Sequence, residues 1–247
     1  MLAIRATYKI VEMAVGSKSF PLENRAGGVE APRASQFTAG VTGLWRDWIE
    51  VASVFMLLEV VLWTPRSIVH GGLIALVVGS VLWLSIRRNS RKELGLVWPS
   101  GRSTMGIVAA GALLANAIAT AAWLTGHPVP ANSEWPTLAN ILPYIVWAFG
   151  QQFLLQSFFF LRLESRMGAG WAVVSSSVLF TLAHLPNLAL TVMTIFGALF
   201  FTEMFRRYRS IYPLGIAHAL LGLAIAYSFP DRVMHHLRVG LGYWQFH

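Results

Sequence analysis

The 247-residue chain contains no cysteine, which excludes disulfide frameworks, thiolate metal sites and cysteine nucleophiles. Charge is scarce as well: 12% of residues are charged, against about 25% in an average soluble domain. Acidic residues are the rarer sign, 11 against 19 Lys+Arg. No internal repeat or low-complexity tract stands out, and the first 45 residues lack the apolar core of a cleaved signal peptide. What remains is 55% hydrophobic and 13% aromatic, with a mean hydropathy of +0.57. That excludes a disordered chain, a coiled coil and an ordinary cytosolic enzyme. The expected fold is all-α, a polytopic transmembrane helix bundle with the lipid bilayer as its medium. The net charge of +8 then raises the question of loop placement rather than of nucleic acid, which is not expected as a partner.

A bilayer core takes roughly 20 apolar residues as helix. Seven spans are expected: 48–64, 71–86, 105–124, 138–161, 170–185, 188–205 and 211–229. Pro186 divides the apolar run from Trp171 to Phe205, because an interior proline removes a backbone donor. With these spans, 16 of the 19 Lys+Arg fall on one side, including Arg87, Arg88, Arg162, Arg166, Arg206 and Arg209. Only Arg66, Arg232 and Arg238 fall on the other. Such a positive-inside split puts the N-terminus in the cytoplasm and the C-terminus outside, in an inner membrane of bacterial type. The expected organisation is a cytoplasmic tail over 1–45, a bundle over 46–230 and a C-terminal tail over 231–247. Residues 8–15 can lie on the membrane surface, although a loosely ordered tail is the simpler reading. His235, His236 and His247 lie in the C-terminal tail, where Tyr243 and Trp244 suit an interface.

Polar groups inside the spans cost free energy and need a reason. Gln151, Gln152 and Gln156 lie in span four, His184 near the end of span five and His218 in span seven. Gln152 and Gln156 are four apart and share a helix face, while Gln151 points about 100° away. At about 1.5 Å per residue these groups can meet near mid-membrane. Each alone would read as interhelical glue. Their number, on three helices, points to a shared site.

The order and spacing of these motifs resemble the CPBP family of intramembrane endopeptidases, the CAAX-protease and bacteriocin-processing type. Gln151-Gln152-Phe153-Leu154-Leu155-Gln156 stands where that family carries Glu-Glu-x-x-x-Arg, Phe180 to His184 matches Phe-x-x-x-His, and His218 to Gly222 matches the His of His-x-x-x-Asn. The resemblance covers roughly residues 90–228. It implies a catalytic site at Gln151, Gln152, His184 and His218, supported by Gln156, Phe180 and Gly222. In the family a glutamate is held to activate water while the histidines assist. Here both glutamates are glutamines, the arginine is Gln156 and the asparagine is Gly222. An amide has no accessible basic form, so the general base, worth about 10²–10⁴ in rate, is missing. The changes run coherently from charged to neutral, which reads as divergence rather than as an engineered inactive variant.

Glu59 in span one is the candidate for a relocated acid; a carboxylate solvated or paired near the interface is the simpler reading. Glu203 precedes Arg206 and Arg207 by three and four residues and reads as a helix-surface ion pair. Glu164 reads as solvated, and Ser175, Ser176 and Ser177 as helix-packing residues. His184 and His218 are two zinc-type donors, but glutamine amides are poor ligands, so neither metal nor cofactor is expected. Two functions stay open. One is a protease-like membrane protein that has lost hydrolysis, binds transmembrane segments or lipids and serves as an accessory or assembly subunit of a membrane complex. The other is an active divergent peptidase cleaving membrane-embedded or prenylated peptides with His184, His218 and a relocated acid such as Glu59. A small-solute carrier would need internal symmetry, which is not found.

Overall fold

The computed structural model describes residues 34–99, 101–126 and 137–245. The reading of residues 8–15 and of His247 falls outside them. Among the described residues all regular structure is helical. The chain divides into two units, Met1–Ala39 and Gly40–His247, and the second carries everything that follows.

Helix α1 spans Ala34–Leu62, α2 Ile68–Ile86 and α3 Arg102–Leu124. Helix α4, Leu138–Gln152, passes without a break into a π-helical stretch, Phe153–Phe160, and then into α5, Leu161–Met167. Helices α6, Ala169–Leu182, α7, Leu188–Tyr208, and α8, Tyr212–Ser228, complete the bundle. Two short helices follow, α9 over Asp231–Met234 and α10 over Leu241–Trp244, with a 3₁₀ turn at His235–Leu237 between them.

Each expected span therefore has a helix. Four are long and apolar enough to cross a bilayer: Ile68–Ile86, Thr104–Leu124, Ile141–Met167 and Leu188–Tyr208. Helices α6 and α8 are apolar but shorter, at 14 and 17 residues. This is an integral membrane helical bundle. The break at Pro186 falls between α6 and α7, where the Asn187 side chain accepts from the Leu190 N–H as an N-cap. The fourth span runs past its expected end at 161 to Met167, because the π turns do not interrupt the helix.

Helix α8 packs chiefly on α3 and α4, and α6 on α7. The close approach of α3 to α8 needs Gly111, where a Cβ would meet the Ala217 Cβ at 2.7 Å. Small residues at such crossings let helices gain packing contacts that lipid cannot supply. The core is strongly aromatic: Phe158, Phe159, Phe160 and Phe205 are all fully buried, and Phe160 meets Phe205 edge to face at 5.8 Å.

One end of the bundle is held by charge. Glu50 accepts from Arg162 at 2.8 Å, Arg46 at 3.0 Å, Arg88 at 3.1 Å and Arg87 at 3.4 Å. Asp47 accepts from Arg88 at 2.6 Å and Arg166 at 2.5 Å. Burial pushes the Asp47 carboxyl up, but the hydrogen bonds and charges of Arg88 and Arg166 outweigh it and hold it below the ordinary carboxylate range. Glu164 is not simply solvated: it pairs with Arg209 at 2.6 Å, tying α5 to the α7–α8 turn. Basic segments far apart in the chain thus share one end. Glu203 pairs with Arg206 and Arg207 on the surface of α7, as the spacing suggests.

Candidate functional site

The site forms where α4, α6, α7 and α8 meet. Gln152, at the end of α4, is fully buried. Its Nε2 lies 3.0 Å from His218 Nδ1 on α8. Its Oε1 accepts from Gln156 Nε2 at 3.1 Å. An amide nitrogen only donates, so His218 Nδ1 must accept, and the imidazole proton sits on Nε2. The result is a one-way chain, Gln156 to Gln152 to His218. Gln156 Oε1, at its far end, has no partner among the described residues.

Gln151 turns away from this chain, as a 100° step predicts. It lines a cavity of about 340 Å³ together with His184, His218 and Phe180. The adjacent glutamines thus do different things: Gln151 faces the cavity, and Gln152 holds the histidine from behind. His184 Nδ1 lies 2.7 Å from the Phe180 carbonyl oxygen, which can only accept. Its proton is therefore on Nδ1, and its Nε2 keeps a lone pair. The two histidines are complementary, His184 with a free acceptor and His218 with a free donor. Phe180 lies against the His184 ring at 4.9 Å, and Phe201 stacks on His218 at 5.5 Å. The pattern Phe-x-x-x-His thus places the carbonyl and the ring of Phe180 on the same histidine. A turn of helix explains the spacing.

Gly222 also lines the cavity. A Cβ at this position would fall on the Tyr144 hydroxyl of α4. Tyr144 therefore fills the space above Gly222 that a larger residue would take. Tyr144 belongs to none of the motifs described above. Its signal was the stripe Tyr144, Trp147, Gln151, at i, i+3 and i+7, all of which line the cavity. Glu59 is not brought to the site: its Oε2 accepts from Trp63 Nε1 at 3.3 Å within α1, and it does not line the cavity.

Nor does the serine triplet contribute: Ser176 donates back to the Ala172 carbonyl at 2.6 Å. The His235 ring lies tilted against Tyr243 at 4.1 Å, and His236 pairs with Asp231 at 2.8 Å. Among the described residues no three His, Asp or Glu side chains converge as a metal site. The C-terminal segment does reach the cavity, which the sequence did not suggest. Asn187 Nδ2 donates to the Met234 and Arg238 carbonyls at 2.8 and 3.2 Å. The Gly240 N–H donates to the Leu185 carbonyl at 2.8 Å. Leu237, Val239 and Leu241 then line the cavity.

Two histidines and a pair of hydrogen-bonded amides thus meet beside one cavity inside a bundle of apolar helices. Residues 133–224 match the family described as Type II CAAX prenyl endopeptidase Rce1-like, so the segment that carries the site is Rce1-like and the CPBP resemblance holds over it. That range is narrower than the 90–228 suggested by the motifs, and it contains all three of them. Nothing among curated proteins or solved structures matches the chain significantly.

Proposed function

We propose that this protein is a membrane-embedded binding or accessory subunit built on an endopeptidase frame, with hydrolysis impaired. One observation carries the reading: the positions of the family's glutamate pair hold neutral amides, and Gln152 is committed to a hydrogen-bonded chain with Gln156 and His218. Among the described residues no carboxylate lines the cavity. The residual machinery, an oriented His218 donor beside an apolar cavity, suits recognition of a carbonyl or hydroxyl on a membrane-embedded partner better than activation of water. A second reading has one supporting observation, the unprotonated Nε2 of His184, which can accept a proton from water. It lacks the acid: Glu59, the candidate for that role, is held by Trp63. An assay of purified, reconstituted protein on prenylated and membrane-segment peptides separates the two. The binding reading expects wild-type turnover no higher than that of His184→Ala; turnover lost in His184→Ala supports the divergent enzyme.

The same proposal includes orientation and organisation. The basic split supports a cytoplasmic N-terminus and an outside C-terminus, in a bacterial inner membrane, with a tail over 1–45, the bundle over 46–230 and a C-terminal segment over 231–247. A reporter inserted in the Arg87–Lys92 loop should read inside; an outside reading rejects the orientation.

A further inference from the structure

The positive-inside pattern leaves only three basic residues on the side opposite the charged cluster: Arg66, Arg232 and Arg238. Two of these three, Arg66, exposed, and Arg238, half-buried, line the cavity together with the half-buried His70, which marks this solvent-facing end as its mouth. They come from opposite ends of the bundle sequence. Arg66 lies in the turn between α1 and α2, and Arg238 lies in the segment that Asn187 anchors. The two segments touch, since a Cβ on Gly240 would fall on the Leu62 carbonyl. Arg66 is exposed and enters no ion pair among the described residues. From this mouth the cavity runs inward along α7, where Leu190, Met193, Gly197 and Phe201 line it. Leu190 to Phe201 is about 16 Å of helix at about 1.5 Å per residue. Its far end is the His218 ring, stacked on Phe201. The volume of about 340 Å³ is that of a small-molecule site, for which about 300–1,000 Å³ is usual. A long apolar slot with guanidinium groups at one end is shaped for an amphiphile with an anionic head.

We propose that the cavity takes an anionic membrane lipid, its headgroup phosphate held at the mouth by Arg66 and Arg238 and an acyl chain lying along α7. Arginine forks pair with phosphate oxygens in two parallel hydrogen bonds, which a zwitterionic headgroup satisfies less well because its own cation competes. The lipid enters from the outer leaflet, beside the C-terminal segment. This deepens the binding role proposed above and rests on it.

Delipidated full-length protein is incubated with phosphatidylglycerol or phosphatidylcholine, and retained lipid is measured by native mass spectrometry. The proposal expects at least a tenfold preference for phosphatidylglycerol in the wild type. It expects Arg66→Gln with Arg238→Gln to abolish the preference, and Arg66→Gln alone, at an exposed position, to reduce it should the double variant fold poorly. Gly197→Leu should block retention of either lipid, since a Cβ there meets nothing closer than Phe201 at 3.8 Å and the rest of the side chain fills the slot. An unchanged preference in both arginine variants overturns the headgroup assignment. If Gly197→Leu still blocks retention in that case, the cavity holds the lipid through groups other than these arginines and the binding role stands. If no variant changes retention, the lipid is a boundary lipid and both readings fall. Competition by millimolar inorganic phosphate at equal strength would assign the arginines to a free anion and reject the lipid.

Discussion

At one end of the bundle five arginines surround Asp47 and Glu50, while deeper in, Gln156, Gln152 and His218 form a chain with no formal charge. Both clusters join helices distant in sequence, and both include fully or nearly fully buried side chains. They differ in access to water. Arg87 and Arg88 are about a third exposed, so the charged cluster keeps a hydrated side and the cost of desolvating its ions is shared with solvent. The neutral cluster has no such side: Gln152 and Gln156 are completely buried. A carboxylate–arginine pair at 152 and 156 would carry a large desolvation cost that amides avoid. An enzyme accepts that cost because the charge does chemistry; a binding protein has no use for it. On the binding role proposed above, the amides at 151, 152 and 156 are one change rather than three.

The largest stability effect should come from breaking the charged cluster. Glu50→Ala leaves Arg162, about 4% exposed, without its carboxylate, and should destabilise by about 3–5 kcal/mol. Unfolding in mixed detergent measures this; a loss below about 1 kcal/mol would make the cluster as weak as a surface pair.

The neutral site should respond to volume instead. Gly222→Ala drives a methyl into Tyr144 and should cost about 1–3 kcal/mol. Tyr144→Leu in the same chain should return much of it, and the double-mutant cycle gives the coupling. Additive effects would show that Tyr144 and Gly222 do not share the space.

Asp47 sharpens the contrast through pH. Its folded-state carboxyl ionises below the ordinary Asp value of about 4. The stability it contributes is therefore fully present above that value and is lost as pH falls through the lowered folded-state value. Unfolding midpoints followed from about pH 6 to pH 3 should fall on acidification, and Asp47→Asn should flatten the fall. An equal fall in Asp47→Asn would assign it to other groups.

The smallest effect belongs to the exposed pair. Glu203→Ala removes two surface ion pairs and should cost at most about 1 kcal/mol, less at high salt.

The apolar runs, the Pro186 break and the i, i+4 spacing of Gln152 and Gln156 were legible because they are local patterns. So was the pairing of Glu203, whose partners lie within one turn. The ion cluster was not, because Glu50 and Arg162 are 112 residues apart and nothing in either neighbourhood announces the other. Glu164 misled for the same reason, its partner Arg209 being 45 residues away. The π-helical stretch over Phe153–Phe160 has no compositional mark, since a run of Phe and Leu suits α and π turns alike. The role of the C-terminal segment depended on Asn187, a residue that no motif in the sequence marks. Its side-chain oxygen does cap α7, but its nitrogen holds Met234 and Arg238.

The central claim is that the missing carboxylates silence this frame, and restoring them tests it most directly. Hydrolysis of a prenylated peptide by reconstituted protein is compared for the wild type, Gln151→Glu with Gln152→Glu, and the same pair with Gln156→Arg. The wild type should show no turnover. The double variant should show little, because a buried carboxyl without a cation stays protonated. The triple variant should show the most, since the guanidinium introduced by Gln156→Arg would lie one turn from the new carboxylate, where the Gln156 amide now bonds Gln152. Wild-type turnover that survives Gln151→Ala with Gln152→Ala but disappears with His184→Ala would contradict the claim and make this a working histidine-based peptidase.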